Sequence, residues 1–182
     1  MKLYSLGSSL FIVNKATGQI LEKGVLTMRV VKYRTKLSEE KRAVLEKEVS
    51  FNCPTFDRVM NSPEKIADFG RYVLRMHEET EEYMYMLCLN TKLEMTGVFE
   101  ISHGNVNSSI VGPREVFQKA LLANAVSIAL LHNHPSGDVG PSREDVEVTK
   151  RLMEAGKILG VHVLDHLVIG NGYCSLKEKG YM

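Results

Sequence analysis

Two histidines and an aspartate lie close together in the second half of this sequence. His132 and His134 are separated by one residue, and Asp145 follows a short loop. Residues two apart in a strand point to the same side, so both imidazoles converge if the apolar run ending at Leu131 continues into them. Two histidines and one carboxylate leave one position of a tetrahedral zinc ion open, which is typical of a catalytic site. These three residues are therefore the candidate ligands of one zinc ion per chain.

Each of these residues also has an ordinary structural interpretation. A lone buried histidine is more often a core residue than a ligand. Ser142 and Asp145 have the spacing of a helix capping box, in which case Asp145 does nothing but start a helix. Asp138 is a competing ligand, although its position after Ser136-Gly137 favours a turn.

The elements that must position this cluster alternate between strands and helices. Tyr83–Leu89 is a continuous apolar run, typical of a central strand covered on both faces, and Met95–Ile101 is its predicted antiparallel partner. Ala125–Leu131 is a second buried strand, and a helix is predicted over Ser142–Lys157. This alternation predicts an α/β domain with a mixed sheet over residues 61–182.

Residues 1–60 are predicted to be a small strand-rich extension followed by a linker. Val25–Val31 has the composition of a strand, whereas residues 38–49 have a helical pattern. Phe51–Asn61 contains Cys53-Pro54 and is interpreted as the linker into the main domain.

The charge balance gives little support to a dedicated nucleic-acid binder. The chain has 23 Lys and Arg against 22 Asp and Glu, a formal net charge of +1. The cluster of Arg29, Lys32, Arg34 and Lys36 could contact phosphate. A solvated strand face is the preferred interpretation, because strong binders usually neutralise more phosphates.

Cysteine usage and the N-terminus bear on location. Cys53, Cys88 and Cys174 are far apart and form no CxxC pair, which fits a reduced, cytoplasmic setting. The apolar patch Leu10–Val13 is too short for a signal peptide or a membrane span. Nine methionines and an apolar strand edge are compatible with a homodimer.

The central run reads His-x-His-Pro, six further residues, and then Ser-x-x-Asp. This resembles the JAMM signature of the JAB/MPN metalloprotease superfamily, and with its flanks it resembles the bacterial RadC family more narrowly. The resemblance covers about residues 61–182 and implies a cytidine-deaminase-like mixed sheet flanked by helices. The matching stretches are Asn107–Val116, Ala129–Asp138, Pro141–Lys150 and Leu164–Gly170.

The resemblance also implies a glutamate upstream of the histidines, at the start of a central strand. Glu82 immediately precedes the strand at Tyr83 and is the match. The close alternatives are Glu78, Glu79 and Glu81, and Glu100 is a weaker one.

The implied chemistry is hydrolysis of a peptide, isopeptide or related amide bond. Zinc lowers the pKa of bound water to about 7. Glu82 would accept the water proton as general base and later pass it to the leaving amine as general acid. Ser142 would donate a hydrogen bond to the tetrahedral oxyanion, provided that its hydroxyl proton is free.

The sequence departs from the family in two places. RadC relatives commonly carry a helix-hairpin-helix segment, which suggests contact with DNA, but residues 1–60 show no such pattern and resemble a shorter form. The alternative function is a DNA-associated repair or recombination accessory protein, or a metal-dependent nuclease. Asn133 stands where eukaryotic deubiquitinating members usually have Ser or Thr, so ubiquitin-like specificity is not implied.

The remaining histidines are given no catalytic role. His166 follows Asp165, and a carboxylate that orients a histidine is common at metal sites. A structural role is nevertheless preferred for this pair, because it lies between two apolar strands. His77, His103 and His162 have no motif context.

Overall fold

The computed structural model describes residues 2–6, 9–13, 20–22, 28–53, 58–104 and 111–182. They form an α/β arrangement with a mixed sheet flanked by helices, as the sequence predicts. The strands are β1 (Lys2–Leu6), β2 (Ser9–Val13), β3 (Ile20–Glu22), β4 (Met28–Leu37), β5 (Ala43–Cys53), β6 (Tyr83–Leu89), β7 (Met95–His103), β8 (Ser127–Asn133), β9 (His162–Ile169) and β10 (Tyr173–Ser175). The α-helices are α1 (Pro63–Asp68), α2 (Pro113–Leu122) and α3 (Arg143–Leu159).

Seven of the strands form one sheet in the order β10-β9-β8-β6-β7-β4-β5, and β1, β2 and β3 form a separate antiparallel sheet. In the larger sheet β8 pairs in parallel with β9, and β4 pairs in parallel with β7. The other pairings are antiparallel. Strand β8 therefore lies between β6 and β9, and every one of its residues is buried.

The larger sheet is covered on both faces. On one face α1 contributes Ile66 to a cluster that includes Leu87 of β6 and Leu131 of β8. On the other face α2 and α3 pack over a cluster that contains Met84 and Leu130. Side chains alternate between faces along a strand, so Leu130 points toward α3 and Leu131 toward α1. The apolar run that ends at Leu131 thus packs into a hydrophobic cluster on each face of the sheet.

The prediction of a helix over residues 38–49 is wrong. Residues 43–53 form β5, which pairs with β4 from Leu37↔Ala43 to Met28↔Cys53 through a tight turn with Lys41 at φ 59°. Cross-strand pairing decides the conformation of such a polar segment, because its own propensity is weak. The predicted linker is also wrong at its start, since residues 51–53 complete β5.

A side chain caps the first helix after residue 60. Ser62 caps α1 by accepting a hydrogen bond from the Lys65 backbone N–H at 3.3 Å. The α-helix ends at Asp68, and Phe69–Val73 continues it as a π-helical turn. The two strands predicted around Asp165 are one continuous strand, β9.

Strands β4 and β5 belong to the same sheet as the strands after residue 60. The boundary between residues 60 and 61 stays a prediction. No helix in the described part of the chain combines the length and the apolar run that crossing a bilayer requires.

Candidate metal centre

The three predicted ligands meet at the end of β8. Nε2 of His132 lies 3.0 Å from Nε2 of His134 and 3.2 Å from Oδ1 of Asp145. Oδ2 of Asp145 lies 3.5 Å from Nε2 of His134. In a tetrahedral site with zinc bonds of about 2.0–2.1 Å, neighbouring donor atoms lie roughly 3.3 Å apart. The spacing of these donors therefore fits an ion of this size, and the group could hold a metal.

The backbone fixes the position of His134 beyond the end of β8. Its N–H donates to the carbonyl of Ile169 at 3.0 Å, which extends the β8–β9 ladder by one residue. The chain then turns at Gly137, whose φ of 82° favours glycine. A Cβ on Gly170 would lie 2.5 Å from the Gly137 carbonyl oxygen, so the two segments approach closely. This contact holds the loop that carries His134.

Asp145 combines the two roles that the sequence left as alternatives. It is the third residue of α3 and forms a capping box with Ser142. The Ser142 N–H and hydroxyl both donate to Oδ2 of Asp145, each at 2.7 Å, which leaves Oδ1 facing His132. Burial alone would raise the pKa of Asp145, but the contacts with the His132 and His134 imidazoles and the hydrogen bond from Ser142 hold that pKa well below its ordinary value. The carboxylate is therefore charged and oriented toward the imidazoles.

The tautomer of His132 follows from a chain of hydrogen bonds that begins in α3. The Thr149 hydroxyl donates its single proton to the Asp145 carbonyl at 2.6 Å, so it must accept from Nδ1 of His166, also at 2.6 Å. Complete burial lowers the pKa of His166, which keeps that ring neutral and its Nε2 an acceptor. Nδ1 of His132, 2.8 Å away, therefore donates to His166. In the neutral form of His132 the lone pair is consequently on Nε2, toward Asp145.

His134 is oriented in the same way by a different partner. Its Nδ1 lies 3.0 Å from the carbonyl oxygen of Asp138, which can only accept, so Nδ1 carries the proton. With both rings neutral, two Nε2 lone pairs and a carboxylate face one another, which is a donor arrangement that can hold a cation. The Asp145 carboxylate raises the pKa of His134, and the charge of Glu82 adds to this effect. The donor set thus fits a divalent metal ion.

Glu82 immediately precedes β6, so the direction of its side chain is inferred from the alternation along that strand. In the β6–β8 register Met84 lies opposite His132, and side-chain alternation puts Glu82 on the same face as Met84. Its charge acts on the pKa of His134. These observations favour Glu82 over its neighbours.

The alternative glutamates have contacts away from the imidazoles. Glu81 pairs with His103, and Glu78 pairs with Arg75. Glu100 accepts a hydrogen bond from Lys32 at 2.8 Å. Glu79 acts electrostatically on Tyr83, on the other face of β6.

The structure brings two unpredicted residues to the site, His166 and Thr149. The sequence predicts only a structural role for His166 and not its contact with His132. Asp165 does not orient the His166 ring, because Oδ1 of Asp165 accepts from the His166 backbone N–H at 2.8 Å. The sequence contains one signal that could have predicted Thr149 at the site. Thr149 is four residues after Asp145, hence on the same side of α3.

Asp138 builds the turn, as the sequence favours. Its Oδ1 accepts from the Gly140 N–H at 2.9 Å, and its backbone carbonyl is the partner of His134. Asp138 therefore orients a ligand through its main chain and is outside the His132, His134 and Asp145 group.

The basic cluster of Arg29, Lys32, Arg34 and Lys36 is largely engaged within the sheet. Lys32 pairs with Glu100 and with Glu48, while Arg34 and Lys36 both pair with Glu46. Arg29 donates to the Ser50 hydroxyl at 3.3 Å. Acidic groups on the neighbouring strands thus offset much of this positive charge.

Comparison with known proteins agrees with the geometry. A family model described as the RadC-like JAB domain matches residues 60–181. Of the stretches that carry the resemblance, residues 107–110 lie outside the described residues.

Three relatives illustrate the similarity, and each is named only as a UPF0758 protein. One from Caldanaerobacter subterraneus subsp. tengcongensis is 43% identical over 173 residues, which are 94% of this chain and 71% of the relative. One from Syntrophomonas wolfei is 39% identical over 179 residues, or 96% of this chain and 73% of the relative. One from Methanosarcina barkeri is 49% identical over 109 residues, or 59% of this chain and 48% of the relative. These names state no reaction.

Proposed function

Because the chain belongs to the family of RadC-like JAB domains, we propose that it is a zinc-dependent hydrolase that cleaves peptide, isopeptide or related amide bonds. The observation that carries the proposal is the convergence of two imidazole Nε2 atoms and one carboxylate at the end of β8. Three protein ligands leave a position open, as catalytic zinc sites require. When bound there, zinc supplies Lewis acidity, which makes water a nucleophile at neutral pH and polarises a carbonyl group.

Glu82 is the proposed proton carrier. Its carboxylate takes one proton from the attacking water and transfers it to the nitrogen of the scissile amide as the C–N bond breaks. Water thus supplies the oxygen of the new carboxyl group and the proton of the released amine. The electrostatic effect of Glu82 on His134 supports a position next to the ligands.

The first proposed role of Ser142 is to position Asp145, and its second is to donate a hydrogen bond to the oxyanion. Its hydroxyl proton is donated to Oδ2 of Asp145 at 2.7 Å, so a hydrogen bond to an oxyanion requires that hydroxyl to rotate away. The predicted oxyanion role therefore depends on substrate displacing an existing contact.

Metal analysis and hydrolysis assays on three purified proteins test this function. The wild type is expected to bind one zinc ion per chain, and His134→Ala is expected to lose both zinc and hydrolysis. Glu82→Gln should retain zinc but lose about 10²- to 10⁴-fold in rate, the usual contribution of a general base. The assay uses a pool of fluorogenic peptides and lysine isopeptides. His162→Ala is the control that leaves both readouts unchanged, because His162 is exposed and lies opposite Ser127, at the far end of β8.

Unchanged zinc content in His134→Ala would refute the metal centre. A zinc-loaded wild type that cleaves nothing in the pool, or a fully active Glu82→Gln, would refute the proposed chemistry. The metal content and the rate thus test the site and the reaction separately.

A DNA-associated role is the second candidate, and the basic cluster motivates it. Its ion pairs with glutamates weaken the electrostatic argument. A gel-shift titration over salt concentration separates the two functions, because phosphate contacts give a steep loss of affinity with salt. For the location of the chain we propose the cytoplasm, which the three free, buried cysteines support.

A further inference from the structure

Asn133, the residue between the two histidines, has a side chain on the opposite face of β8. Alternation along the strand directs His132 toward α3 and Asn133 toward α1. Asn133 is 1% exposed, so its carboxamide needs partners within the protein. Both partners are backbone groups of the segment that precedes β6. Its Oδ1 accepts from the Tyr83 N–H at 2.7 Å, and its Nδ2 donates to the Glu81 carbonyl at 2.9 Å.

These two backbone groups flank Glu82 on either side. In an extended chain the carbonyl of one residue and the N–H of the second residue after it point the same way, here toward β8. The β6–β8 pairing ends at Met84↔His132, one residue before Tyr83 would pair. Asn133 thus replaces the backbone partner that the ladder would otherwise have supplied. On the other side the Glu82 carbonyl accepts from the Gly104 N–H at 2.9 Å, which anchors the same segment to β7.

We propose that Asn133 is a positioning residue that holds the backbone of Glu82 in register with the metal ligands. This inference rests on the proposed function and extends it. One short strand then carries both halves of the site, because its histidines hold the cation and its asparagine holds the base. The side-chain partners of Asn133 are the Tyr83 N–H and the Glu81 carbonyl rather than the metal donors, so it acts through Glu82.

The chemistry of the carboxamide explains why this residue type is needed. The backbone presents one donor and one acceptor, and an amide side chain offers one acceptor and a donor in the matching positions. An aspartate has two acceptors, so it keeps the Tyr83 contact and places a carboxylate against the Glu81 carbonyl. A leucine of similar volume loses both contacts. Asn133→Asp and Asn133→Leu therefore remove one and two of the hydrogen bonds, respectively.

The first test measures amide hydrogen exchange at Tyr83, which needs neither substrate nor turnover. In the zinc-loaded protein Asn133→Leu is expected to accelerate this exchange at least tenfold, and Asn133→Asp by less. Zinc affinity, measured with a competing chelator, should stay within threefold of the wild type. Asn90→Asp is the matched control, because Asn90 also bonds to nearby backbone, at Lys92 and Glu94, but at the opposite end of β6.

The second test measures hydrolysis of the peptide and isopeptide pool by the same variants. Asn133→Leu is expected to lower kcat at least tenfold, with KM and bound zinc unchanged, whereas Asn90→Asp keeps the wild-type rate. A tenfold loss of zinc affinity in Asn133→Leu would overturn the inference, since Asn133 would then support the ligands. Unchanged Tyr83 exchange would overturn it as well. If the wild type cleaves nothing in the pool, the proposed function fails, while exchange at Tyr83 still decides whether Asn133 holds the base.

Discussion

Each imidazole of the candidate metal centre is oriented by a partner outside the proposed ligand set. His132 donates through Nδ1 to His166, and His134 donates through Nδ1 to the carbonyl of Asp138. Such partners fix the ring orientation and increase the basicity of the nitrogen that faces the metal. The affinity of the site should therefore depend on residues that never contact the ion.

The prediction at this scale concerns His166, whose ring is completely buried. His166→Phe preserves an aromatic ring but removes the acceptor of His132 Nδ1 and the donor to the Thr149 hydroxyl. Zinc affinity should fall about 10- to 100-fold, as is typical when an outer partner of a metal ligand is removed. Competition with a chromophoric chelator measures the dissociation constant.

His103→Phe is the matched control for this variant. His103 is exposed and stacks on Tyr83, away from the ligands, so its replacement should not change zinc affinity. A dissociation constant for His166→Phe within twofold of the wild type would contradict the argument. Thermal unfolding of both variants checks that they are folded.

At the scale of elements, the packing of the last turns of α3 helps to position the whole helix, including Asp145 in its first turn. Gly156 lies in the last turns of α3, where the chain approaches β9 and α2. A Cβ at this position would lie 2.4 Å from the Val161 carbonyl oxygen and 3.1 Å from the Phe117 ring. The helix therefore needs glycine here to return directly into β9, although glycine usually weakens a helix. This close return positions α3, and with it Asp145 at the opposite end.

Gly156→Ala is expected to destabilise the protein by about 1–3 kcal/mol, as is usual when a group is forced into a packed interior. The backbone carbonyl of Val161 cannot move without disturbing β9, so the gain in helix propensity does not offset the clash. Urea denaturation followed by circular dichroism measures the free energy of unfolding. Gly172→Ala serves as control: a Cβ there meets nothing within 4 Å, and its stability should change by less than about 0.5 kcal/mol.

At the scale of the whole molecule, burial of ionisable groups in the two cores limits the pH range of stability. Cys88 lies in β6 within the core under α2 and α3 and is fully buried. Burial raises the pKa of its thiol from 9.0 to about 12, because the thiolate is poorly solvated there. The unfolded chain therefore loses this proton at lower pH than the folded protein.

The sign follows from this difference in bound protons. The contribution of Cys88 is fully present below pH 9 and is lost as the pH rises toward 12. Between pH 9 and 10.5 the folded protein should lose about 2 kcal/mol through this thiol. Urea unfolding at several pH values measures the slope, which should be shallower in Cys88→Ala than in the wild type. Equal slopes would show that the thiol does not contribute.

The amino-acid sequence predicts the elements around the site well because they are buried runs with one clear period. Tyr83–Leu89 is apolar throughout, and α3 has both a start signal at Ser142 and a stop signal at Gly160. Residues 43–53 have no such pattern, and only pairing with β4 defines their strand.

The spacing of ligands within one segment was likewise readable, whereas contacts between segments were not. His132, His134 and Asp145 are close in sequence, and their types indicate a metal. The contact of His166 with His132 depends on the parallel register of β8 and β9, in which Leu130 lies opposite His166. The role proposed for Asn133 depends on where the β6–β8 ladder ends. Neither register is encoded in the spacing of a single segment.

The proposed ligands and Asn133 lie on opposite faces of β8. Both roles therefore depend on the register of this strand. Sliding β8 by one residue relative to its neighbours would exchange its two sides. Both imidazoles would then enter the layer beneath α1, and the carboxamide would enter the layer beneath α3. We therefore expect a single-residue deletion early in β8 to abolish both metal binding and proton transfer, although the deletion is far from every donor atom.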